Sequence, residues 1–285
     1  MIGEHRGELV VISTPIGNLG DLSDRAKTLL GSVDLLCCED TRTTGRLLSL
    51  VGVSPPKLLS LHEHNEHDRV DEVLDRLASG ATVGLVCDAG TPLLSDPGAR
   101  LVAAAVEAGV PVTAAPGASA ALAALVVSGF GARRFRYEGF LPKKGGERDV
   151  RLHAIAASGE PTVVYEAPSR VAGTVEDLLD ACGPDRAVAI SRELTKRHEE
   201  TWRGRLRDAA SEPVVTIARG EYVLVVDGTP AATDDEGPLD EQVARLAAAG
   251  LRRRDAVAAL QALFGVTHRT AYDAALAHPG FVKDQ

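Results

Sequence analysis

The clearest chemical signal in the chain is an aspartate at the end of an apolar run, followed by a loop rich in glycine and proline. Residues 83–87 are largely apolar and predict a buried strand, and Asp88 follows directly. The loop over 89–98 holds two glycines and two prolines. Ligands of open α/β sheets bind beyond the carboxyl ends of the strands, so this acid predicts a small-molecule site. An ordinary connection between a strand and a helix is the alternative.

A second loop of the same kind follows the next predicted strand. Residues 110–114 are apolar, and Ala-Pro-Gly-Ala-Ser at 115–119 leads into an alanine-rich helix predicted over 118–127. Two neighbouring strand ends with Pro-Gly loops predict a crevice rather than a lone turn.

An acid pair beside an arginine marks a third strand end. Residues 39–42 read Glu-Asp-Thr-Arg and follow the strand predicted over 33–38. Carboxylates in such a place could carry acid–base chemistry, and an arginine could hold a phosphate. The competing interpretation is structural, because Asp40 or Thr41 could cap a helix predicted over 45–50.

Three histidines within residues 62–67 have the spacing H-x-H-x-x-H, which is similar to the zinc-binding run of metallo-β-lactamase-type hydrolases. Such a site needs further ligands downstream, and those available are His153 and His198, neither of them in a supporting motif. We therefore favour a polar loop that enters a helix predicted over 70–78.

The predicted elements form two α/β domains and a tail. Strands alternate with helices through an N-terminal domain, residues 1–130, which predicts a mostly parallel sheet. A second domain, residues 131–229, contains strands without long crossovers and so predicts a mixed sheet. Its strands are predicted over 137–141, 162–165, 187–191, 201–205, 214–217 and 222–226.

The third part, residues 230–285, begins with an acidic linker and continues with predicted helices over 241–249, 254–264 and 271–277. The last two resemble a helix-turn-helix in which Gly265 makes the turn and Thr267 caps the final helix. A helical packing module is favoured over a DNA reader.

Composition excludes several classes of protein. No apolar run approaches the length that a membrane span needs, and the N-terminus predicts no signal peptide. The first loop, after the strand predicted over 8–13, lacks both the dinucleotide and the P-loop fingerprints. The four cysteines have no CxxC spacing, which predicts reduced thiols and a cytoplasmic protein.

The net charge of −9 argues against wholesale wrapping of nucleic acid, yet basic residues cluster in four places. Any one cluster fits a solvated surface, whereas four in an acidic protein keep a polyanionic partner in view. The clusters are Arg133, Arg134 and Arg136; Lys143, Lys144, Arg148 and Arg151; Arg203, Arg205 and Arg207; and Arg252, Arg253 and Arg254.

With these stretches in place, the chain resembles the tetrapyrrole-methylase-like, class III superfamily of S-adenosylmethionine-dependent methyltransferases. Within it, the chain is similar to the branch that methylates a cytidine ribose 2′-hydroxyl of 16S rRNA in the decoding region. Single motifs are weak, but many in register over residues 9–228 are specific. They are TPIGNL at 14–19, EDTR at 39–42, LHEHNE at 61–66, DAGTP at 88–92, DPG at 96–98, PG at 116–117, YEGFLP at 137–142, YE at 165–166 and RELTK at 192–196.

The resemblance implies an α/β, two-domain tetrapyrrole-methylase-like fold, with a mostly parallel N-terminal sheet, a mixed C-terminal sheet and a small helical tail. It also implies S-adenosyl-L-methionine in the cleft between the domains, a homodimer, and 16S rRNA or the small ribosomal subunit as partner. No metal is expected, because the histidine loop belongs to the family pattern without zinc.

Site residues follow from the loops and from position in the family. Asp88 is expected to bind a polar group of the cofactor, the amides of Ala89, Gly90, Thr91, Ser119 and Ala120 to contact its amino acid or ribose, and Pro15, Tyr165, Arg192 and Tyr222 to lie near it. Candidate bases or catalytic groups are Asp40, Glu193 and Lys196. Candidate phosphate-binding residues are Arg42, Lys143, Lys144, Arg252 and Arg253.

Two other functions stay open at this point. One is a methyltransferase of the same fold that acts on a tetrapyrrole or another small molecule. The other is a non-enzymatic nucleic-acid-binding protein that relies on the helix-turn-helix-like tail.

Overall fold

The computed structural model describes residues 7–54, 56–131, 133–228, 239–264 and 266–281. The chain divides into two compact units, Met1–Gly228 and Thr229–Gln285. The first unit holds two five-stranded sheets, so the predicted boundary near residue 130 falls between these sheets and inside one compact unit.

The first sheet is parallel throughout, as its alternating strands and helices predict. Its spatial order is β3-β2-β4-β1-β5. Central strands are nearly continuous runs of Leu, Val and Cys, because helices cover both faces of the sheet. The strands are β1 (Glu8–Ile12), β2 (Leu35–Cys38), β3 (Lys57–Ser60), β4 (Thr82–Leu85) and β5 (Val112–Ala115).

Four helices cover this sheet, two on each face. Residues of α1 and α2 share one apolar cluster with the inner residues of β1 and β2, and residues of α3 and α4 share the opposite cluster. These helices are α1 (Asp24–Ser32), α2 (Thr41–Leu50), α3 (Glu66–Ala78) and α4 (Ala99–Glu107), with a short 3₁₀ turn at Leu19–Asp21 before α1.

Two helices of the first sheet begin four residues earlier than the apolar periodicity predicts. Helix α2 starts at Thr41 because the Asp40 side chain accepts a hydrogen bond from the Arg42 amide and so caps the helix. Helix α3 starts at Glu66, whose buried carboxylate accepts from the amides of Arg100 and Leu101 at the start of α4. Its charge there is stabilised by the positive end of the α4 dipole.

The second sheet is mixed, which confirms the prediction. Its order is β6-β7-β10-β8-β9, with a parallel pair at β6 and β7 and antiparallel pairs elsewhere. The strands are β6 (Arg136–Phe140), β7 (Thr162–Glu166), β8 (Ala187–Arg192), β9 (Glu200–Arg205) and β10 (Tyr222–Val226).

Helices from both halves of the chain cover the second sheet. On one face lie α6 (Gly146–Ala156) and α7 (Val171–Cys182) with the short helices α8 (Leu206–Ala209) and α9 (Pro213–Thr216). On the other face lies α5 (Ala120–Ser128), which follows β5 of the first sheet. Helix α5 therefore ties the two sheets together.

The strand predicted over 214–217 is wrong, since these residues form most of helix α9. Pro213 occupies the first turn, where its fixed φ and missing N–H suit a helix start. Val214 and Val215 are buried in the core of the second sheet, so a short apolar run that suggested a strand is satisfied by one helical turn.

The described residues of the second unit form three helices: α10 (Leu239–Ala248), α11 (Arg253–Phe264) and α12 (His268–Ala277). They share an apolar core of their own. Thr267 caps α12 through its side chain, as predicted. The predicted turn residue Gly265 and almost all of the linker lie outside the described residues. In the part of the chain that the structure describes, no helix is long and apolar enough to cross a membrane.

Candidate functional site

A cavity of about 390 Å³ lies between the two sheets of the first unit. Loops at the carboxyl ends of β1, β4 and β5 form one side of it, and the ends of β6, β7 and the start of β10 form the other. The lining residues are Ile16, Asp88, Ala89, Gly90, Thr91, Leu94, Ser95, Asp96, Ser119, Ala120, Phe140, Tyr165, Glu166, Ala167, Pro168, Glu221, Tyr222 and Val223.

Most of the residues predicted to hold a cofactor meet here. Asp88, Ala89, Gly90, Thr91, Ser119, Ala120, Tyr165 and Tyr222 all line the cavity. The other two lie beside it: Pro15 precedes the lining residue Ile16, and Arg192 is the strand partner of Tyr222. The crevice predicted from two Pro-Gly loops is therefore present in the fold.

Hydrogen bonds between backbone segments hold the first-sheet loops together. Thr14 and Gly90 exchange two of them, at 2.8 and 3.1 Å. The Thr91 hydroxyl donates to the carbonyl of Ala118 at 3.0 Å, which joins the two Pro-Gly loops. Gly90 has φ +90, and a Cβ there would lie 3.2 Å from the Ile16 side chain. Glycine is favoured at this point because it adopts a positive φ without strain, and a larger residue would also press on Ile16.

Two aromatic residues of the second sheet, Tyr165 and Phe140, line one wall, and Tyr137 packs against Tyr165. Tyr165 makes edge contacts with Tyr137 and Phe140, at 5.4 and 5.6 Å between ring centroids. Its hydroxyl accepts a hydrogen bond from the Ala121 amide at 3.1 Å, at the start of α5. Burial raises the pKa of the Tyr165 phenol, so this ring stays neutral.

Tyr222 lines the cavity, but its hydroxyl is bound within the core of the second sheet. Its buried hydroxyl donates to the Val214 carbonyl at 2.8 Å and accepts from the Arg219 amide at 3.3 Å. The hydroxyl is therefore held by the core of the second sheet and is turned away from a ligand.

Acidic groups gather on the first-sheet side of the cavity. Partial burial raises the pKa of Asp88, although its carboxylate accepts a hydrogen bond from the Asp40 amide at 3.2 Å. Burial, together with the charges of Glu39 and Asp88, raises the pKa of Asp96 to about 6. Burial and the charge of Asp88 also raise the pKa of Glu39. Crowded carboxylates in a partly desolvated place favour a cationic ligand.

Asp40 caps helix α2, which is the structural alternative to a catalytic role. Its carboxylate caps α2 and pairs with Arg42, with 3.0 Å between Oδ2 and the guanidinium. Hydrogen bonds from the Arg42 side chain and amide hold the pKa of Asp40 below its usual range. An acid with a lowered pKa is a weak proton acceptor at neutral pH.

Glu193 and Lys196 form an ionic group at the edge of the cavity. Lys196 Nζ lies 2.9 Å from Glu193 Oε1 and 2.7 Å from Oε2 of the lining residue Glu221. Burial opposes the charge on Lys196, but the hydrogen bonds that Lys196 donates to Glu221 and Glu193 outweigh it and raise its pKa. Burial likewise opposes the charge on Glu193, and the bond from Lys196 lowers its pKa. Lys196 is thus a cation, and its aliphatic stem packs on Gly17 of the first loop.

The predicted phosphate-binding residues fall in three places. Arg42 is 90% exposed at the start of α2. Lys143 and Lys144 are exposed between β6 and α6, three and four residues after the lining residue Phe140. Arg252 and Arg253 belong to the second unit, just before and at the start of α11. Lys143 and Lys144 therefore lie close to the cavity in sequence, and Arg42 is paired with Asp40, whose amide donates to the lining residue Asp88.

The histidine loop serves as a connection into α3. The Asn65 side chain accepts from the His62 amide at 2.8 Å and donates to the Ser60 carbonyl at 3.1 Å. Among the described residues, no group of three or more His, Cys, Asp or Glu side chains could hold a metal ion.

Sequence reasoning missed several lining residues, of which Asp96, Phe140, Glu166 and Glu221 carry chemistry. Asp96 and Phe140 stand inside motifs that were recognised, DPG and YEGFLP, without being assigned to the site. Glu166 follows Tyr165 directly. Nothing local marks Glu221, which reaches the cavity because β10 pairs in the centre of the second sheet.

Comparisons with known proteins agree with this architecture. The profile of the family Tetrapyrrole (Corrin/Porphyrin) Methylases matches residues 8–210. A protein named Ribosomal RNA small subunit methyltransferase I, from Synechocystis sp., is 41% identical over 256 residues, covering 88% of this chain and 90% of that protein. A protein of the same name from Haemophilus influenzae is 37% identical over 278 residues, covering 95% and 97%.

Two solved structures share the fold at low sequence identity. A diphthine synthase superposes with a TM-score of 0.62 at 16% identity, covering 78% of this chain and 90% of that one. The native form of a uroporphyrin III C-methyl transferase from Thermus thermophilus superposes with a TM-score of 0.54 at 18% identity, covering 78% and 97%. At such low sequence identity, these two matches are evidence for the fold only.

Proposed function

Since the chain belongs to the tetrapyrrole methylase family and, within it, to the ribosomal RNA small subunit methyltransferase I group, we propose that it methylates 16S rRNA with S-adenosyl-L-methionine. The position proposed is the ribose 2′-hydroxyl of a cytidine in the decoding region. The observation that supports this substrate is the sequence identity of 41% with the Synechocystis protein. The matched region covers 88% of the chain and includes both sides of the cavity.

The lining residues suit S-adenosylmethionine in size and in chemistry. A cavity of about 390 Å³ lies within the range of small-molecule sites. Asp88 suits a molecule with a positive charge, and the amides of Ala89, Thr91, Ser119 and Ala120 are proposed to meet a carboxylate or hydroxyl groups. The Gly90 amide is already bound to the Thr14 carbonyl. Ile16, Leu94 and Phe140 provide apolar surface for a flat base.

When bound, the donor supplies a methyl group on a positively charged sulfur. The chain's own contribution is to hold the donor between the sheets and to present the acceptor oxygen in line with that methyl, at about 3–3.5 Å. The tie between Thr91 and Ala118 fixes the loops that would hold the donor. The aromatic wall of Tyr165 and Phe140 excludes water from one side.

Lys196 and Glu193 fit a supporting role better than that of a base. Lys196 is a cation held by two carboxylates, so it could attract a phosphate or steady a developing negative charge, but it has no free pair to accept a proton. Glu193, with φ +53 and a lowered pKa, positions Lys196. Asp40 is proposed to contribute to the site only through its amide, which donates a hydrogen bond to Asp88.

The RNA is proposed to approach past Arg42, Lys143 and Lys144. These side chains are exposed, and Lys143 and Lys144 lie on a loop whose base is fixed, because the Pro142 carbonyl accepts a hydrogen bond from Arg148 at 2.8 Å. Arg252 and Arg253 are proposed as further phosphate contacts from the tail. Ionic contacts of this kind weaken steeply as salt rises.

We also propose a homodimer that acts in the cytoplasm. Helix α5 leaves Leu122 and Val126 51% and 77% exposed, four residues apart on one face. An apolar stripe of this kind suits contact with a second copy. Light scattering of the purified protein is expected to give twice the chain mass of 29.9 kDa, and a mass of one chain would contradict the dimer.

The test is methylation of isolated small ribosomal subunits with labelled donor, followed by mass mapping of the ribose methyl groups. Subunits from a strain without this protein should gain one methyl on a decoding-region cytidine, and a porphyrinogen offered in parallel should gain none. Methylation of the porphyrinogen alone would favour the small-molecule alternative. The family match over residues 8–210 already favours an enzyme over binding by the tail.

A further inference from the structure

Four carboxylates line the cavity, and three of them are held by other groups. Glu166 is buried and accepts from the Thr174 hydroxyl at 2.6 Å and the Ala167 amide at 2.9 Å, with the Arg170 guanidinium 3.3 Å away. Glu221 lies 2.7 Å from Lys196.

Asp88 and Asp96 differ in whether another group holds the carboxylate. Asp88 accepts from the Asp40 amide at 3.2 Å. Within the described residues, Asp96 has neither a cation nor an amide as partner. The thiol of Cys87 lies beside its carboxylate and donates a hydrogen bond to the Ala89 carbonyl at 3.3 Å.

The loop that carries Asp96 is held in a strained shape and anchored to the opposite sheet. Leu93 and Ser95 have φ of +74 and +67, although neither is glycine. The Ser95 hydroxyl lies 2.7 Å from the hydroxyl of Tyr137 on β6. Strain of this kind persists where the surroundings impose it, so the fold presents Asp96 to the cavity in one place.

We infer that Asp96 is the base that accepts the proton of the ribose hydroxyl during methyl transfer, an inference that rests on the proposed function. As the hydroxyl oxygen forms its bond to the methyl carbon, the carbon–sulfur bond breaks and its electron pair stays on sulfur. The hydroxyl proton passes to a carboxylate oxygen of Asp96. The charge of the donor is thereby neutralised, and the carboxyl later returns its proton to water.

The charges around Asp96 suit this task. Glu39 and Asp88 face it from the ends of β2 and β4, Cys87 meets it directly, and Tyr137 and Tyr165 face it from the second sheet. Burial raises the pKa of the Cys87 thiol and of both phenols, so these three groups are neutral. The pKa of about 6 places the carboxyl in its accepting form at pH 7 while keeping it a stronger base than an ordinary aspartate.

The experiment compares the wild type with Asp96→Asn, and with Asp180→Asn as a matched control on the exposed face of α7. Three quantities are measured: donor affinity by calorimetry, single-turnover methylation of small subunits from pH 5 to 9, and titration of ¹³C-labelled aspartate carboxyls in the free protein. Asp96→Glu tests rescue, and Asp96→Ser replaces the amide variant if that variant does not fold.

Asp96→Asn should lower the single-turnover rate about 100-fold or more, with donor affinity within about threefold of the wild type. At subsaturating donor, where the rate reports the free protein, the wild-type rate should rise through a midpoint near pH 6, that rise should vanish in the variant, and one carboxyl resonance titrating near pH 6 should be missing. An unchanged rate and pH profile, or lost donor affinity with an unchanged rate constant at saturation, overturns the inference. Failure of the wild type itself to methylate subunits, with donor still bound, overturns the proposed function and the inference with it.

Discussion

The acids on the two sides of the cavity differ in the partners they have. On the first-sheet side, neither Asp88 nor Asp96 has a cation within ion-pair distance in the described part of the chain. On the second-sheet side, Glu166 pairs with Arg170 at 3.3 Å and Glu221 with Lys196 at 2.7 Å. The cavity is thus negative on one side and neutralised on the other.

The difference in partners indicates two roles: the unpaired acids are suited to binding a ligand, and the paired acids to supporting the fold. Unpaired carboxylates in a partly desolvated place attract a cation and have raised pKa values, as Asp88 and Asp96 do. Paired carboxylates hold structure: Glu166 orients Arg170, which in turn donates to the carbonyls of Leu141 and Pro142 beneath the basic loop. We therefore expect substitution of Asp88 to change donor affinity and substitutions on the second side to change stability.

The largest effect is expected at Asp88. Replacing it with alanine removes a charged contact to the donor and should weaken donor binding about 100-fold, with an unchanged melting temperature. Calorimetry and thermal unfolding measure the two quantities, with Asp180→Ala as the control. Unchanged donor affinity would remove Asp88 from the site and the contrast between the two sides with it.

A large effect on stability, rather than affinity, is expected at Glu166. Replacing it with alanine leaves Arg170 without its carboxylate partner and Thr174 without its acceptor, which should lower the free energy of unfolding by about 3 kcal/mol. Urea denaturation measures it. Glu176→Ala, on the exposed face of the same helix, should change stability by less than about 0.5 kcal/mol. Equal losses in the two variants would contradict a supporting role for Glu166.

Charge reversal on the basic loop is expected to separate RNA binding from donor binding. Lys143→Glu with Lys144→Glu should weaken binding to the small subunit about tenfold at low salt and flatten its salt dependence, because two phosphate contacts are lost. Donor affinity should stay the same. Lys27→Glu, on the exposed face of α1, is the control. Wild-type methylation by the double variant at raised salt would show that the loop does not hold the RNA.

The smallest effect expected is a gain in stability at Asp96. The pKa of this carboxyl rises from 3.8 to about 6 on folding, so the folded chain binds the proton more tightly than the unfolded chain. Its contribution to stability is therefore greatest at acid pH and is lost as the pH rises from about 4 through 6. Asp96→Asn avoids that loss. With allowance for solvent screening, we expect the variant to be about 1 kcal/mol more stable at pH 7 and equal at pH 4. Urea denaturation at both values measures it, and a less stable variant at pH 7 would contradict the account.

Local sequence predicted most of the fold and the first-sheet half of the site. Buried strands with apolar runs, such as β4 and β10, and the loops that follow them are visible without a structure. The caps at Asp40 and Thr267 are local as well, since a side chain there bonds to an amide two or three residues on. The strand predicted over 214–217 was wrong because a four-residue apolar run has no period that separates a strand from a buried turn of helix.

The second-sheet half of the site depends on contacts between residues far apart in the chain. Glu166 and Glu221 reach the cavity only because β10 pairs between β7 and β8, a register that neither strand reveals alone. Asp96 stands in a recognised motif, but its lack of a partner follows from the packing of Cys87 and the tie between Ser95 and Tyr137. Packing in the core of the second sheet likewise decides the direction of the Tyr222 hydroxyl, which donates to the Val214 carbonyl and is turned away from the cavity.

The most direct test of the central claim is a crystal structure of this protein with S-adenosylhomocysteine. The account predicts density for one molecule per chain in the cavity between the sheets, with a polar group within hydrogen-bond distance of Asp88 and its sulfur facing the side of Asp96. Density at any other place, or an empty cavity at saturating ligand, would contradict it.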